Sequence, residues 1–176
     1  MVYLDRPFNV GDWIRSPDKN IEGVVEYIGW RQTRIRTFDK RPLYVPNATF
    51  SNISVENPSR MQNRRIKETI GLRYKDAEQM PAILEQVRDY LQNNPAIDTN
   101  RILMVNFNSY APSSLDFFIY CFTKTCDWAR FHQEKEKVLL EVLAIIRRNG
   151  ADVAFPTQTL DLPEDSQFTV EPAQKD

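Results

Sequence analysis

The chain has 176 residues, of which 41% are hydrophobic and 27% charged, and its formal net charge is −1. This is the balance of an ordinary soluble globular chain, long enough for one large or two small domains with a buried core. The longest unbroken apolar run, Phe117 to Phe122, is far shorter than the roughly 20 residues of a membrane-spanning helix. Met1 to Asp5 lack the charged and apolar regions of a signal peptide. We therefore expect neither a membrane span nor a secretory leader within the chain.

The charge is distributed unevenly along the chain. Residues 1–75 carry 14 Lys and Arg against 8 Asp and Glu, whereas residues 76–176 carry 9 against 16. A basic front half and an acidic rear half would create a field that acts on ions or anionic surfaces, although two separately solvated faces explain the pattern equally well. The two cysteines, Cys121 and Cys126, do not make a disulfide framework and indicate a reducing compartment.

The first 58 residues predict a small β-domain. Residues 31–38 alternate between polar and β-branched side chains with a period of two, as a half-buried strand does. Short strands with turns at this spacing are typical of a small barrel or sandwich. The five predicted strands are Asp12–Ser16, Ile21–Gly29, Arg31–Phe38, Leu43–Val45 and Asn52–Glu56.

Residues 59–64 are predicted to link this domain to a second one over residues 65–162, because Asn57-Pro58-Ser59-Arg60 breaks the strand pattern. Two amphipathic helices are expected there, one with Asp76 as N-cap and Gln79 as capping-box partner, the other capped by Asp127 and closed by Gly150. The order strand-helix-strand-strand-helix-strand is the ferredoxin-like (βαββαβ) pattern of an α+β fold. The predicted elements are strand Arg65–Tyr74, a helix to Gln92, strands Arg101–Tyr110 and Ser114–Lys124, a helix to Asn149, and short strands Val153–Phe155 and Gln158–Leu162. Residues 163–176 are expected to be a flexible acidic tail.

No residue pattern points to catalysis. His132 is the only histidine, the two cysteines have no partner cluster, and the five glycines form no phosphate-binding loop. The acidic pairs Glu134/Glu136 and Glu164/Asp165 lie in polar segments, where solvation explains them better than acid–base work. We therefore predict that the chain is not an enzyme and that it has no catalytic residue, no metal site and no cofactor.

A basic and aromatic cluster supports an alternative function. Such clusters on small barrels can bind single-stranded nucleic acid, but they also form ion pairs with a neighbouring subunit or attract anionic lipid. The sequence pI of about 5.9 argues against a dedicated nucleic-acid-binding protein. A soluble sensor that binds a small ligand in the second domain is a third possibility, with no residues that nominate a site. The cluster comprises Arg31, Arg34, Arg36, Lys40 and Arg41 beside Trp30, Phe38 and Tyr44.

An ordered series of motif residues runs through nearly the whole chain. It begins with Pro7-Phe8, Gly11-Asp12, Gly23-Val24 and Pro46-Asn47, continues with Arg64, Gly71, Tyr74 and Asp76, and ends with Phe155-Pro156. Gly11 and Gly23 permit tight bends, while Pro46 removes a backbone donor and leaves Asn47 to satisfy backbone groups. The series resembles the small-conductance mechanosensitive channel (MscS) family, and residues 5–57 are especially similar to its low-conductance bacterial branch.

The resemblance implies an N-terminal Sm-like five-strand β-barrel domain followed by the α/β domain. In that family seven copies form a hollow cytoplasmic vestibule under the pore of a bacterial inner-membrane channel, which releases ions and osmolytes under membrane tension. The partners implied are further copies of the chain, ions, and the lipid bilayer through membrane helices that precede the Pro-Phe motif and are absent from this chain. Nucleic acid is not expected as a partner.

The resemblance also implies two sets of site residues. Side portals lie between the two domains, so Arg60, Met61, Gln62, Asn63 and Arg64 are expected to line or border them, with the two arginines favouring anions; a plain linker is the alternative. At the base of the vestibule, strands from all subunits meet. Here Phe155, Pro156, Gln158 and Leu160 are expected to form this final strand and its subunit contact.

Overall fold

The computed structural model describes residues 7–157, which form two antiparallel sheets and two α-helices. The fold is therefore mixed α and β, as predicted. The elements are β1 (Trp13–Ser16), β2 (Ile21–Ile28), β3 (Gln32–Arg36), β4 (Pro42–Pro46), β5 (Arg64–Leu72), α1 (Met80–Asn93), β6 (Met104–Tyr110), β7 (Leu115–Thr123) and α2 (Trp128–Arg148). Short 3₁₀ turns span Asn47–Ser51, Pro58–Arg60 and Tyr74–Gln79.

The first sheet has the strand order β1-β2-β3-β4, with every neighbouring pair antiparallel. The predicted alternation of β3 is confirmed, because Thr33 and Ile35 are fully buried while Gln32 is exposed. The buried side chains under this sheet form a small core of their own: Phe8, Ile14, Ile21, Val25, Ile35 and Val45.

The predicted fifth strand, Asn52–Glu56, is wrong. This segment contributes one bridge, in which Arg15 and Glu56 exchange backbone hydrogen bonds of 3.0 and 2.8 Å. The physical reason is that the Asp18 carboxylate accepts the Ser54 N–H at 2.6 Å, which takes that donor away from a ladder. Pro58 follows soon after and has no N–H to continue one. The described part of the first sheet therefore has four strands.

Gly23 marks a close backbone approach between β2 and β3. A Cβ at this position would lie 2.3 Å from the Arg36 carbonyl oxygen and 2.9 Å from Cγ2 of Ile35. Only glycine fits there, so this member of the motif series has a packing role in the sheet.

The second sheet has the order β5-β7-β6, and both helices pack against one of its faces. β7 alternates strictly between buried and half-buried positions, so that Leu115, Phe117, Ile119, Cys121 and Thr123 all point into the core. The two helices contribute the other side of that core through Ile83, Val87, Leu91, Val138, Val142, Ile145 and Ile146.

Two details of the second half differ from the prediction. The strand expected at Val153–Phe155 is a single bridge between Leu72 and Val153. Asp76 does not cap a helix, because α1 begins later, at Met80, with Pro81 in its first turn, where a missing N–H has no cost. Asp76 is instead buried, and its carboxylate accepts hydrogen bonds from Arg73 Nε at 2.7 Å and Asp152 N at 3.0 Å.

Two other predicted helix ends are confirmed. The Asp127 carboxylate accepts the Arg130 N–H at 2.7 Å and so caps α2. Gly150 follows the end of α2 with φ +73°, the left-handed conformation that favours glycine after a helix. The strand predicted at Gln158–Leu162 lies outside the described residues.

Candidate functional site

Asp12, one of the predicted motif residues at the start of the first sheet, has partners in three segments of the chain. Its carboxylate accepts hydrogen bonds from Asn9 N and Asn57 Nδ2, both at 2.9 Å, and lies 3.7 Å from the Arg60 guanidinium. Burial acts to raise the pKa of Asp12, but these hydrogen bonds and the Arg60 charge hold that pKa below its usual value. Asp12 therefore remains ionised near neutral pH and connects the first turn to the segment after the sheet.

The Pro46-Asn47 pair closes the other end of that sheet. The Asn47 amide donates to the Gly29 carbonyl at 2.8 Å and accepts the Thr33 hydroxyl at 2.8 Å. Its backbone N–H donates to the Arg31 carbonyl at 2.9 Å. Asn47 thus satisfies the backbone groups of the β2–β3 turn, as the sequence predicted. Of the Pro7-Phe8 pair, Pro7 is exposed and Phe8 is buried against Phe50.

The junction segment, residues 60–64, contacts both halves of the chain. The Met61 carbonyl accepts the Cys126 thiol at 3.1 Å. The Gln62 side chain is exposed and accepts a hydrogen bond from Arg101 at 2.7 Å. Asn63 donates to the Asp98 carboxylate and to the Thr123 carbonyl, both at 3.0 Å. With Arg64, described next, four of the five residues are thus anchored to the second half.

Arg64 occupies the point where the two halves meet. Its Nε donates to the Cys126 carbonyl at 2.7 Å. Its guanidinium lies 5.4 Å from the Trp13 ring of the first sheet, and 5.0 and 5.8 Å from the Trp128 and Phe131 rings of α2. Cation–π contacts of this kind join β1 to α2 through one side chain.

The two arginines of the junction therefore differ in environment. The Arg60 side chain is 51% exposed beside Asp12, whereas Arg64 is half-buried among three rings. The sequence placed both arginines in one segment, but it did not reveal the aromatic partners of Arg64. Trp13 and Trp128 are far apart in the chain, and no local pattern links them.

A groove of about 690 Å³ opens beside Arg64, between the first sheet and the start of α2. Trp13 contacts Phe38 and Trp128 edge to face, at centroid distances of 5.2 and 6.0 Å. These rings form one aromatic wall, and Glu22 and Asp127 also line the groove. No pattern in the sequence indicates this groove.

The basic cluster that suggested nucleic-acid binding is largely paired. Arg34 and Arg36 both form ion pairs with Glu26, at 3.0 and 2.7 Å, and Arg41 pairs with Asp39. The hydrogen bond from Arg36 is the main reason that the pKa of Glu26 is lowered. Pairing within the chain leaves fewer free cations for a phosphate backbone, so it weakens the nucleic-acid interpretation.

The remaining candidate residues show no reactive arrangement. Cys121 is buried, and burial raises the pKa of its thiol to about 11, which keeps the thiol protonated. His132 is exposed and lies against Trp128. Within residues 7–157, no three potential metal-ligating side chains come together, and no helix is long and apolar enough to cross a membrane.

The predicted C-terminal contact residues fall partly within the described chain. Phe155 is 67% exposed, and Pro156 after it is also exposed. Gln158 and Leu160 lie outside the described residues.

Two family models match the chain in succession. Residues 1–60 match the mechanosensitive ion channel β-domain, and residues 66–153 match the MscS C-terminal domain. The chain is 59% identical to the low conductance mechanosensitive channel YnaI of Escherichia coli K12, over 91% of this chain and 47% of that protein. It is 31% identical to the small-conductance mechanosensitive channel MscMJ of Methanocaldococcus jannaschii, over 94% and 47%. The chain thus spans about half the length of these relatives.

Solved structures agree with the sequence matches. The cryo-EM structure of Arabidopsis thaliana MSL1 superposes with a TM-score of 0.82 at 26% identity, covering 88% of this chain and 56% of that one. The crystal structure of Helicobacter pylori MscS in a closed state superposes with a TM-score of 0.74 at 24% identity, covering 94% and 62%; this likeness shows the fold alone.

Proposed function

The chain belongs to the MscS family of mechanosensitive ion channels, and from this we propose that it is the cytoplasmic vestibule portion of such a channel. The observation that carries the proposal is the succession of the two family domains along one chain. The parent channel would release ions and osmolytes under membrane tension, and this portion would supply assembly, ion sieving and support for the pore. The named relatives are ion channels, which agrees with a non-enzymatic role.

The finer architecture is part of the same proposal. We propose that residues 1–58 form an Sm-like β-barrel domain, residues 59–64 the linker and residues 65–162 a ferredoxin-like domain. The order β5-β7-β6 with a Leu72–Val153 bridge supports the second assignment. This strand order is that of a ferredoxin-like sheet whose fourth strand, next to β5, consists of a single bridge.

We propose that seven copies assemble in a bacterial inner membrane, with membrane helices outside this chain in contact with lipid. Phe155 and Pro156 would direct the chain towards a shared base of the vestibule, and Gln158 and Leu160 would form the subunit contact there. The Phe155 ring is exposed, so it is available for a contact with another copy.

Residues 60–64 are proposed to border a side portal. Arg60 and Gln62 are the exposed members of this segment, so they would face the passing ions. Met61, Asn63 and Arg64 would hold the rim in place through their contacts with the second half. The positive charge of Arg60 would then raise the local anion concentration, even though Asp12 lies nearby.

A chimera tests the proposed function. The corresponding half of YnaI would be replaced by this chain, joined at the Pro7-Phe8 motif, and expressed in cells that lack their own mechanosensitive channels. We expect tension-activated currents in membrane patches and improved survival of osmotic downshock. A chimera that reaches the membrane as an oligomer but carries no current would contradict the proposal.

The same chimera tests the portal. Arg60→Glu should shift the reversal potential towards the equilibrium potential of the cation, while Arg41→Glu, on the β3–β4 turn and outside residues 60–64, should leave it unchanged. If both variants behave alike, Arg60 does not lie on the ion path.

A further inference from the structure

The groove beside Arg64 has an uncovered aromatic wall. Phe38 and Trp128 are each 57% exposed, although both contact Trp13. The Arg64 guanidinium already lies over Trp13 and Trp128, and the exposed Phe38 ring beside them leaves aromatic surface that can hold an ammonium group through cation–π attraction. The volume of about 690 Å³ is ample for a small organic solute.

Arg64 presents to this groove a guanidinium that is fixed in orientation and still has N–H groups without an acceptor among the described residues. The hydrogen bond to Cys126 and the three rings fix the plane of its guanidinium. Among the described residues, no carboxylate pairs with it and no acceptor meets its two terminal nitrogens. A fixed guanidinium fork with free donors matches a carboxylate in a bidentate geometry.

The groove also contains a negative charge that has no cation. Glu22 lines it, and in the described chain no Lys or Arg lies within ion-pair distance of its carboxylate, including its cross-strand neighbour Arg15. Asp127, the other acid of the lining, already accepts the Arg130 N–H at the start of α2. Among the described residues, the groove therefore offers one guanidinium and two carboxylates without an ion-pair partner, Glu22 and Asp127, together with aromatic faces.

We propose that this groove binds a small soluble zwitterion that carries one carboxylate and one ammonium group, the class of the amino acids and their N-methylated derivatives. The carboxylate would meet the Arg64 fork, and the ammonium would lie against the aromatic wall towards Glu22. The proposal goes beyond the vestibule function, because it assigns a stoichiometric binding site to the protein that surrounds the ion path.

Tryptophan fluorescence tests the proposal directly, because two of the three tryptophans line the groove. Trp30, which is 84% exposed and does not line the groove, would be replaced by Phe to remove its signal. The probes are trimethylglycine, acetate and tetramethylammonium, titrated at constant ionic strength. We expect trimethylglycine to give a saturable change with an affinity at least 5-fold higher than either half-molecule gives.

Two variants separate binding from folding. Glu22→Gln should weaken trimethylglycine at least 5-fold without weakening acetate, and among the described residues Glu22 has no side-chain partner whose loss would unfold the chain. Arg64→Lys should weaken trimethylglycine and acetate alike, with thermal unfolding as its folding control. Equal affinities for trimethylglycine and acetate, an unaffected Glu22→Gln variant, or no saturable signal would overturn the proposal. The binding assay uses the chain alone and the channel assay uses currents, so failure of one leaves the other intact.

Discussion

Removal of the Arg64 guanidinium should loosen the connection between the two halves of the chain. Arg64→Met keeps most of the aliphatic stem but loses the hydrogen bond to the Cys126 carbonyl and the contacts with three rings. A hydrogen bond from a charged donor contributes about 1.5–3 kcal/mol. Each partly exposed cation–π contact adds roughly 0.5–1 kcal/mol, and contacts shared by one group do not add fully. We therefore expect a loss of about 2–4 kcal/mol in the free energy of unfolding.

Urea unfolding followed by circular dichroism and tryptophan fluorescence measures this loss. Because each sheet has its own core, weaker coupling should also separate the transitions, with the smaller core of the first sheet unfolding first. Arg64→Lys is the matched control. It keeps the charge but loses the planar fork and the Nε donor, so its loss should lie between those of the parent and Arg64→Met.

The aromatic contribution can be isolated with a double-mutant cycle between Arg64→Met and Trp128→Leu. We expect a coupling energy of about 0.5–1.5 kcal/mol, since only one of the three rings is removed. If the free energy of unfolding of Arg64→Met lies within about 0.5 kcal/mol of the parent value, Arg64 does not link the two halves.

Three further predictions follow from the packing and the buried polar groups. Gly23→Ala should lower the free energy of unfolding in urea by about 3 kcal/mol or more, because its Cβ meets the Arg36 carbonyl. Gly11→Ala is strained at φ +94° but has open space around its Cβ, so it should cost about 1 kcal/mol. Similar losses in the two variants would contradict the steric argument. Asp76→Asn should lower the free energy of unfolding at pH 7 by about 1–3 kcal/mol, since it weakens the bonds to Arg73 and Asp152. The pKa of Asp76 is lower in the fold than in the unfolded chain, so this contribution is present above about pH 4 and is lost as the pH falls through the folded pKa; a gap between parent and variant that persists in acid would count against it. Finally, a thiol-reactive disulfide should label Cys126 rapidly and Cys121 only after unfolding, because Cys121 is buried and its pKa is raised to about 11; two equally fast thiols in the native chain would disprove this.

Local patterns predicted most of the regular structure. The alternation in residues 32–36, the helix cap at Asp127 and the glycine after α2 are each determined by neighbours within a few residues. The motif series pointed to the family that the comparisons support. In these cases local preference and tertiary packing favour the same structure.

The errors come from partners outside the local pattern, most of them far away in the chain. The segment Asn52–Glu56 has a strand-like pattern, but Asp18 captures its Ser54 N–H. Asp76 has the spacing of a helix cap, yet Arg73 and the Asp152 backbone provide its partners. The aromatic surroundings of Arg64 were missed for the same reason, since they depend on how β1 meets α2.

The hydrogen bonds around Asn57 provide a route along which a pulling force could pass through the chain. Its amide nitrogen donates both to the Pro7 carbonyl at 3.2 Å and to the Asp12 carboxylate, and its amide oxygen accepts the Ser59 N–H at 3.1 Å. A force applied to the chain at Pro7 therefore reaches the segment that leads to Arg60 without passing through the four strands between them. The first sheet would therefore share such a force with this shorter route rather than carry all of it.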